Sequence, residues 1–547
     1  MQVSRRSMLR AAGGTAAAAV LSPTLAGCGK KKSKNTTTAN TAVKMPAYIP
    51  YSGVKPDLPG DTHGVLPAFF KYPASPVQAS SSVPAKGGSI TGFSNIYAAV
   101  PPPLGKNAFW QALNKQLGVN LKMNMVAAAD YVNKIATLVA GNELPDLASL
   151  SLTATPNLPQ LLASRFADLT EFLSGDAIKN YPFLANITTD SWKRMVYNGG
   201  IYGLPIPRSR IGNLMFVRDD ILKAKGLSNE PKSFAEFREL CKGLTDRRHN
   251  KFAIGRQDSL LQFIQGMLGK PNTWYESGGK LTNNIELDET RKAIDAIHTL
   301  YKDGSFHPDS FSATTVLAKQ WMFSGTVALN RDGYKAWSTD ILATLPDREH
   351  TLGAMLPPGF DGGPGTVAEG NSTFGLVAVK KADKAKVKEV LAIANWLAAP
   401  FGTAEFLARK YGVAGTDYTL KGTDPILTSR GVAELALPIN YLVDAPDTIY
   451  DPGDVALVNK RHAFFEKQVP LIVPDPIVGL YSQTDSTKGP ALTKVISGSS
   501  GIGGIESEVY QGRKSLADWD AAVKDWQRNG GNTIRAEYEK AYQQLHG

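Results

Sequence analysis

The chain has 547 residues, 43% of them hydrophobic and 20% charged, which excludes wholesale disorder and leaves room for two or three domains of about 100–200 residues each. Its two cysteines, Cys28 and Cys241, exclude a disulfide scaffold and a multi-cysteine zinc site. The net charge of +11 lies beside nearly as many carboxylates and reads as a solvated basic surface, so no nucleic-acid partner is expected.

The first residues are Ser4-Arg5-Arg6-Ser7-Met8-Leu9-Arg10, then a small-residue apolar stretch over 11–21, then Leu25-Ala26-Gly27-Cys28. The apolar stretch is too short to cross a hydrocarbon core of about 30 Å and fits a removable signal. The segment resembles a twin-arginine export signal that ends in a bacterial lipobox. That resemblance implies that residues 1–27 are removed as a lipoprotein signal peptide. Cys28 then carries a thioether-linked diacylglycerol with palmitate-type chains, each buried methylene contributing about 0.8 kcal/mol to anchoring. The expected location is the extracytoplasmic face of a bacterial membrane, with Lys30, Lys31, Lys32 and Lys34 favouring anionic headgroups.

Residues 28–87 are rich in Thr, Ser, Ala, Pro and Lys and read as a tether or extended segment. Their Tyr48, Tyr51, Phe69, Phe70 and Tyr72 are more aromatics than a solvated linker holds, so part of the segment is open to packing on the body. A strand is expected at 88–93, and a helix follows in which Phe109, Trp110, Leu113 and Leu117 recur at helical spacing. A strand over 120–125, a helix carrying Tyr131, Ile135 and Leu138, and a third strand from Leu144 complete a β-α-β-α-β order. Trp110 reads as core. Cys241, on a helical pattern, reads as a small buried hydrophobe. Residues 202–207 lead straight into a strand over 214–218, a passage that suits a crossover between lobes, and a second crossover is expected at 369–373 before a strand over 374–379. Helices are expected at 291–301 and 384–397, and a buried strand at 325–329.

The ordered marks are Gly141-Asn142-Glu143-Leu144-Pro145-Asp146, Leu169-Thr170-Glu171-Phe172-Leu173, Gly200-Ile201-Tyr202-Gly203-Leu204-Pro205, Val217-Arg218-Asp219-Asp220-Ile221-Leu222, Leu300-Tyr301-Lys302-Asp303-Gly304 and Phe323-Ser324-Gly325-Thr326-Val327-Ala328. They are followed by a tail with Tyr510, Trp519, Trp526 and Tyr538. Together, over about residues 88–547, they resemble the sugar-binding solute-binding proteins of ABC importers, the family that includes maltose-binding protein, in its larger lipoprotein branch. Residues 411–418 depart from that branch, which commonly carries a glutamate before the second glycine. The resemblance implies an α/β, two-lobed periplasmic-binding-protein-like fold, each lobe a mostly parallel sheet flanked by helices and joined by hinge strands. Lobe 1 is expected over 88–208 and 370–450 and lobe 2 over 209–369, with 451–547 returning across the hinge to lobe 2.

Motifs for metalloprotease, redox, nucleotide and serine-hydrolase chemistry are missing, and seven histidines lie scattered, so neither enzyme activity, metal nor cofactor is expected. His307-Pro308-Asp309 reads as a helix exit. Sugars present apolar C–H faces and a rim of hydroxyls, so a site needs aromatic platforms and planar polar groups. In open α/β sheets ligands meet the loops beyond the carboxyl ends of strands. That rule selects Tyr97, Ser149, Ser151, Arg208, Arg210 and Asn371, together with Trp274 in a Pro/Gly-flanked loop and Tyr334 and Trp337 after the strand ending at Leu329. By resemblance, this last loop is also where the family places a stacking aromatic. Core packing competes for Tyr334 and Trp337, and an interlobe ion pair for Arg208 and Arg210. The expected protein is a monomer that captures a carbohydrate, closes about its hinge and delivers the ligand to an ABC-importer permease. The alternatives are an oligopeptide receptor, a secreted glycan-active enzyme and an adhesive lipoprotein.

Overall fold

The computed structural model describes residues 35–80, 82–97, 99–337, 352–498 and 503–546; the arginine pair and Cys28 lie outside them. The chain opens its first sheet with β1 (Ser89–Ile96), β2 (Asn120–Ala127) and β3 (Leu147–Leu150), connected through α1 (Ala108–Leu117) and α2 (Tyr131–Ala140). β1 lies between β2 and β3 and runs parallel to both, the arrangement a β-α-β alternation imposes. After β4 (Leu204–Pro207) the chain leaves this sheet. β5 (Asn213–Arg218), β6 (Phe252–Ile254), β7 (Val327–Gly333) and β8 (Leu352–Met355) form a second sheet in the order β8-β5-β7-β6. The return strand β9 (Thr373–Val379) then inserts antiparallel between β3 and β4, giving the order β2-β1-β3-β9-β4. The fold is thus α/β with two mixed sheets, and the chain passes from one to the other at 208–212 and back by 372. The two passages touch, through a bridge between Ile211 and Glu369.

Local chemistry explains the elements. Asn107 caps α1 by accepting from the Trp110 amide at 2.7 Å, and the left-handed Gly118 ends it. A Cβ on Gly118 would stand 2.3 Å from the Ala85 carbonyl oxygen, so the close approach of the N-terminal segment requires glycine here. Phe109, Trp110, Leu113 and Leu117 form the buried stripe of α1, and the Trp110 indole N–H donates to the Leu121 carbonyl at 2.9 Å. The first core joins these residues to β9 and to α4 (Lys384–Leu397), counted after α3 (Asp288–Lys302). The second core gathers β5, β7 and α3 with Cys241, Trp519, Trp526 and Tyr538, so the C-terminal helices pack with the second sheet. Burial pushes the Cys241 thiol up, as befits a packing residue.

From Asn35 on, the stretch read as a tether is laid against the body. Its Ala47 and Ile49 amides donate to the Gly175 and Ala185 carbonyls. Tyr72 is buried, with its hydroxyl on the Thr403 carbonyl at 2.7 Å, and Ala68 pairs with Ile449. The aromatics hold this segment in place: Phe69 stacks on Phe401 with ring centroids 4.2 Å apart, and Tyr72 packs edge-on against the same ring. The described residues contain no helix long and apolar enough to cross a membrane.

Candidate ligand site

Because β9 is antiparallel to β3 and β4, its amino end lies beside their carboxyl ends, with Thr373 opposite Pro207 and Leu376 opposite Leu150. Tyr97 follows β1 at the same edge. This edge carries an aromatic group: the Phe374 ring is 4.9 Å from Tyr441 and 6.0 Å from Tyr97, and Tyr97 is 5.5 Å from Tyr441. The Arg208 guanidinium lies 5.1 Å from the Phe374 ring centroid, within cation–π range. Phe374 is 39% exposed, an unusual state for a large apolar ring at the start of an otherwise buried strand, and Asn371 is exposed just before it. Burial, chiefly, raises the Tyr97 phenol; Tyr131 and Asp332 add to this, while Asn95 and Arg208 oppose it. In β7 of the second sheet, Asp332 pairs with Lys319 at 3.0 Å, and the Arg331 guanidinium bonds Gln262.

Below the aromatics sits a group of charges. Asp444 is buried and accepts from Arg409 Nη1 at 2.8 Å and Lys335 Nζ at 2.9 Å, with Lys410 Nζ at 3.3 Å and Arg208 Nη1 at 3.9 Å. Lys335 also reaches Asp447 at 2.5 Å. Burial alone would raise the Asp444 carboxyl, but Lys335, Lys410, Arg409 and Arg208 hold it well below the usual carboxylate range. At Asp447 burial prevails. Burial pushes its carboxyl up to about 7 against the pull of Arg208, the Ser209 amide and Arg461.

The structure brings some of the sequence candidates together at this edge and removes others. Tyr97, Arg208 and Asn371 stand there. Ser151 is near it, but its hydroxyl accepts from the Ala154 amide at 3.0 Å in a local turn. Ser149 lies within β3, buried and paired with Val377, which corrects its assignment to a loop. Arg210 is also corrected, because its Nε donates to Glu369 at 2.7 Å and its Nη1 reaches the His63 carbonyl at 3.4 Å, so it ties the two passages and the N-terminal segment together. Trp274 begins a hairpin strand and is buried against Tyr538 and Trp526 at 5.5 and 6.4 Å, within the second core. Tyr334 is buried, its hydroxyl accepting from the Ser209 amide at 3.1 Å. Trp337 is 0% exposed, enclosed edge-to-face by Phe216, Phe464 and Phe465 at 5.8, 5.4 and 6.2 Å. The helical turn Tyr334–Trp337 directs both rings inward, which corrects the expectation of an open platform there.

Sequence reasoning missed Phe374, Tyr441, Lys335, Lys410 and Asp444. Phe374 had a usable signal: it is the only aromatic in the strand that follows the second crossover. Tyr441 and Asp444 lie in an aperiodic connection whose neighbours only the fold reveals. His307 stacks on Trp321 at 3.7 Å, and no group of metal-ligating side chains occurs among the described residues.

A model of a bacterial extracellular solute-binding protein matches residues 108–420. The chain belongs to this family of extracellular solute-binding proteins. The resemblance drawn from the ordered sequence marks is therefore borne out. The polygalacturonan/rhamnogalacturonan-binding protein YtcQ of Bacillus subtilis is 25% identical over 474 residues, covering 82% of this chain and 90% of YtcQ. The lipoprotein LipO of the same organism is 22% identical, covering 81% of this chain and 90% of LipO. Among solved structures, the alginate-binding protein AlgQ2 superposes with a TM-score of 0.60 at 13% identity, over 85% of this chain and 99% of AlgQ2. The N-glycan transport solute-binding protein NgtS of Streptococcus pneumoniae, in complex with Man5GlcNAc, gives 0.60 at 12% identity over 84% and 98%. These likenesses establish the two-lobed periplasmic-binding-protein-like fold.

Proposed function

We propose that this family member is a carbohydrate receptor that binds an oligosaccharide between its two lobes and presents it to an ABC-importer permease. The observation that carries the reading is the exposed Phe374 ring with Tyr97, Tyr441 and Arg208 at the strand-end edge. Aromatic faces receive the apolar side of a pyranose, and Arg208, Asn371 and Asp332 supply a polar rim for its hydroxyls. The names of YtcQ and NgtS, both carbohydrate receptors, support the ligand class.

In this reading lobe 1 comprises 88–208 and 370–450, lobe 2 comprises 209–369, and 451–547 returns to lobe 2. Ligand bridging both lobes favours a closed state, which the permease reads. The protein is a monomer and does not turn its ligand over. Cys28 carries the lipid and the Arg5-Arg6 pair directs twin-arginine export; the lipoprotein LipO supports the anchoring. Replacing Cys28 with Ala is expected to move the protein from the membrane fraction to the medium or leave an unprocessed precursor. A processed, membrane-bound Cys28→Ala protein would refute the anchor.

The functional test is a thermal-shift screen of the mature protein against neutral and acidic oligosaccharides and against peptides, with chromatography of the mixtures. A saccharide that raises the melting temperature and is recovered intact supports the reading. Stabilisation by peptides alone favours an oligopeptide receptor, and conversion of a saccharide to product favours an enzyme.

A further inference from the structure

The charge group beside the aromatic platform is unbalanced. Setting aside Lys335 with Asp447, three cations, Arg208, Arg409 and Lys410, share the single carboxylate of Asp444. The Arg409 side chain is buried and engages Asp444 through Nη1, while its Nε and Nη2 have no hydrogen-bond partner among the described residues. Burying several cations around one anion is costly in low dielectric unless further negative charge is supplied. The group is not sealed. The side chains of Lys410, Lys335 and Arg208 retain 30%, 28% and 14% exposure, and Arg208 is in the same contact with Phe374 that forms the platform. The other carboxylate that reaches the group, Asp447, is already paired with Lys335 at 2.5 Å, and Asp451 is paired with Arg461 at 2.6 Å.

Resting on the carbohydrate reading, we infer that the ligand is an acidic oligosaccharide whose uronate carboxylate is received by Arg208 and Lys410 while the ring that bears it stacks on Phe374. A carboxylate at this position meets a planar guanidinium and an ammonium that a neutral hexose hydroxyl could not neutralise. The chemistry fits both galacturonate and mannuronate or guluronate chains, which differ in hydroxyl configuration and not in charge.

Calorimetric titration of the mature protein tests this with tetragalacturonate, tetramannuronate and the carboxyl-reduced form of each, at 50 and 500 mM salt. The expected result is at least tenfold tighter binding of one acidic tetramer than of its reduced form, a gap that narrows at high salt. Lys410→Met should narrow the same gap at low salt, with its melting curve confirming the fold. Arg208→Lys should also narrow it by removing the planar contact. Equal or tighter binding of the reduced forms overturns the uronate inference and leaves the carbohydrate reading standing. Binding of peptides with no saccharide bound overturns both. A gap that survives both substitutions overturns the assignment to Arg208 and Lys410.

Discussion

Replacing Phe374 with Ala separates a ligand platform from a packing residue. The ring is 39% exposed and meets Tyr441, Tyr97 and Arg208 at 4.9, 6.0 and 5.1 Å. Part of its surface is therefore already in water, and truncation removes contacts from the edge of the sheet, leaving the core intact. The expected stability loss is about 1–2 kcal/mol, below the roughly 3–5 kcal/mol typical of a fully buried Phe. Binding should suffer more. Stacking contributes on the order of 1 kcal/mol beyond burial, and truncating an anchor at a binding site can exceed about 2 kcal/mol. An affinity loss of roughly tenfold to thirtyfold follows, since about 1.4 kcal/mol is a factor of ten. Calorimetry with the saccharide found by thermal shift, paired with urea unfolding, measures both quantities, and Phe374→Trp should keep most of the affinity. Affinity within twofold of the parent for Phe374→Ala, or a stability loss of 4 kcal/mol or more on the scale above, would refute the platform.

Trp337→Ala should do the reverse: its ring is 0% exposed, so urea unfolding should show a loss of about 3–5 kcal/mol while calorimetry on the folded fraction shows unchanged affinity. Gly118→Ala, which places a Cβ 2.3 Å from the Ala85 carbonyl oxygen at a backbone φ of +69°, should lower the melting temperature and make the N-terminal segment more open to limited proteolysis. Glu506 gives a pH prediction: burial, with the charge of Asp258, pushes its carboxyl up to about 7 against the Ser497 hydroxyl bond. The folded state then keeps a proton that the unfolded chain releases near pH 4.3, so this group's contribution to stability falls as pH rises from about 4 to 7. Glu506→Gln should therefore gain in melting temperature over the parent progressively across that window, and a constant difference would contradict the burial argument.

The elements that bury a periodic face were legible in the sequence. The stripe of Phe109, Trp110, Leu113 and Leu117 marked α1, and the helix over 384–397 and the strand from 374 emerged nearly to the residue. The crossovers were legible as well, because proline and glycine punctuation at 205–207 and 370 coincides with the change of sheet. The candidate site was legible only in part. Tyr97, Arg208 and Asn371 follow from the rule that ligands meet strand ends, which needs only strand order. Tyr334, Trp337 and Trp274 satisfied the same rule or lay in apparent loops, yet the helical turn at Tyr334–Trp337 and the hairpin at Trp274 direct their rings inward. Side-chain direction in short irregular elements depends on tertiary packing and leaves no periodic trace. The four partners of Asp444 come from three separate stretches of chain, a convergence that no local pattern encodes. The aromatics of the extended segment left its packing open in the sequence, and the structure supplies the partner: Phe69 and Tyr72 pack around Phe401, at a distant helix-to-loop junction.

The central claim is that a saccharide is held between the two sheets at the Phe374 edge, and a crystal structure of the mature protein with its thermally stabilising oligosaccharide tests it most directly. The account predicts a sugar ring stacked on Phe374 and Tyr441, a polar contact to Arg208, and contacts from the second sheet's Asp332 region to the same ligand. A ligand seated elsewhere, such as the surface pocket lined by Gln78, Ser80, Trp396 and Glu405, or one touching residues of a single sheet, would contradict it.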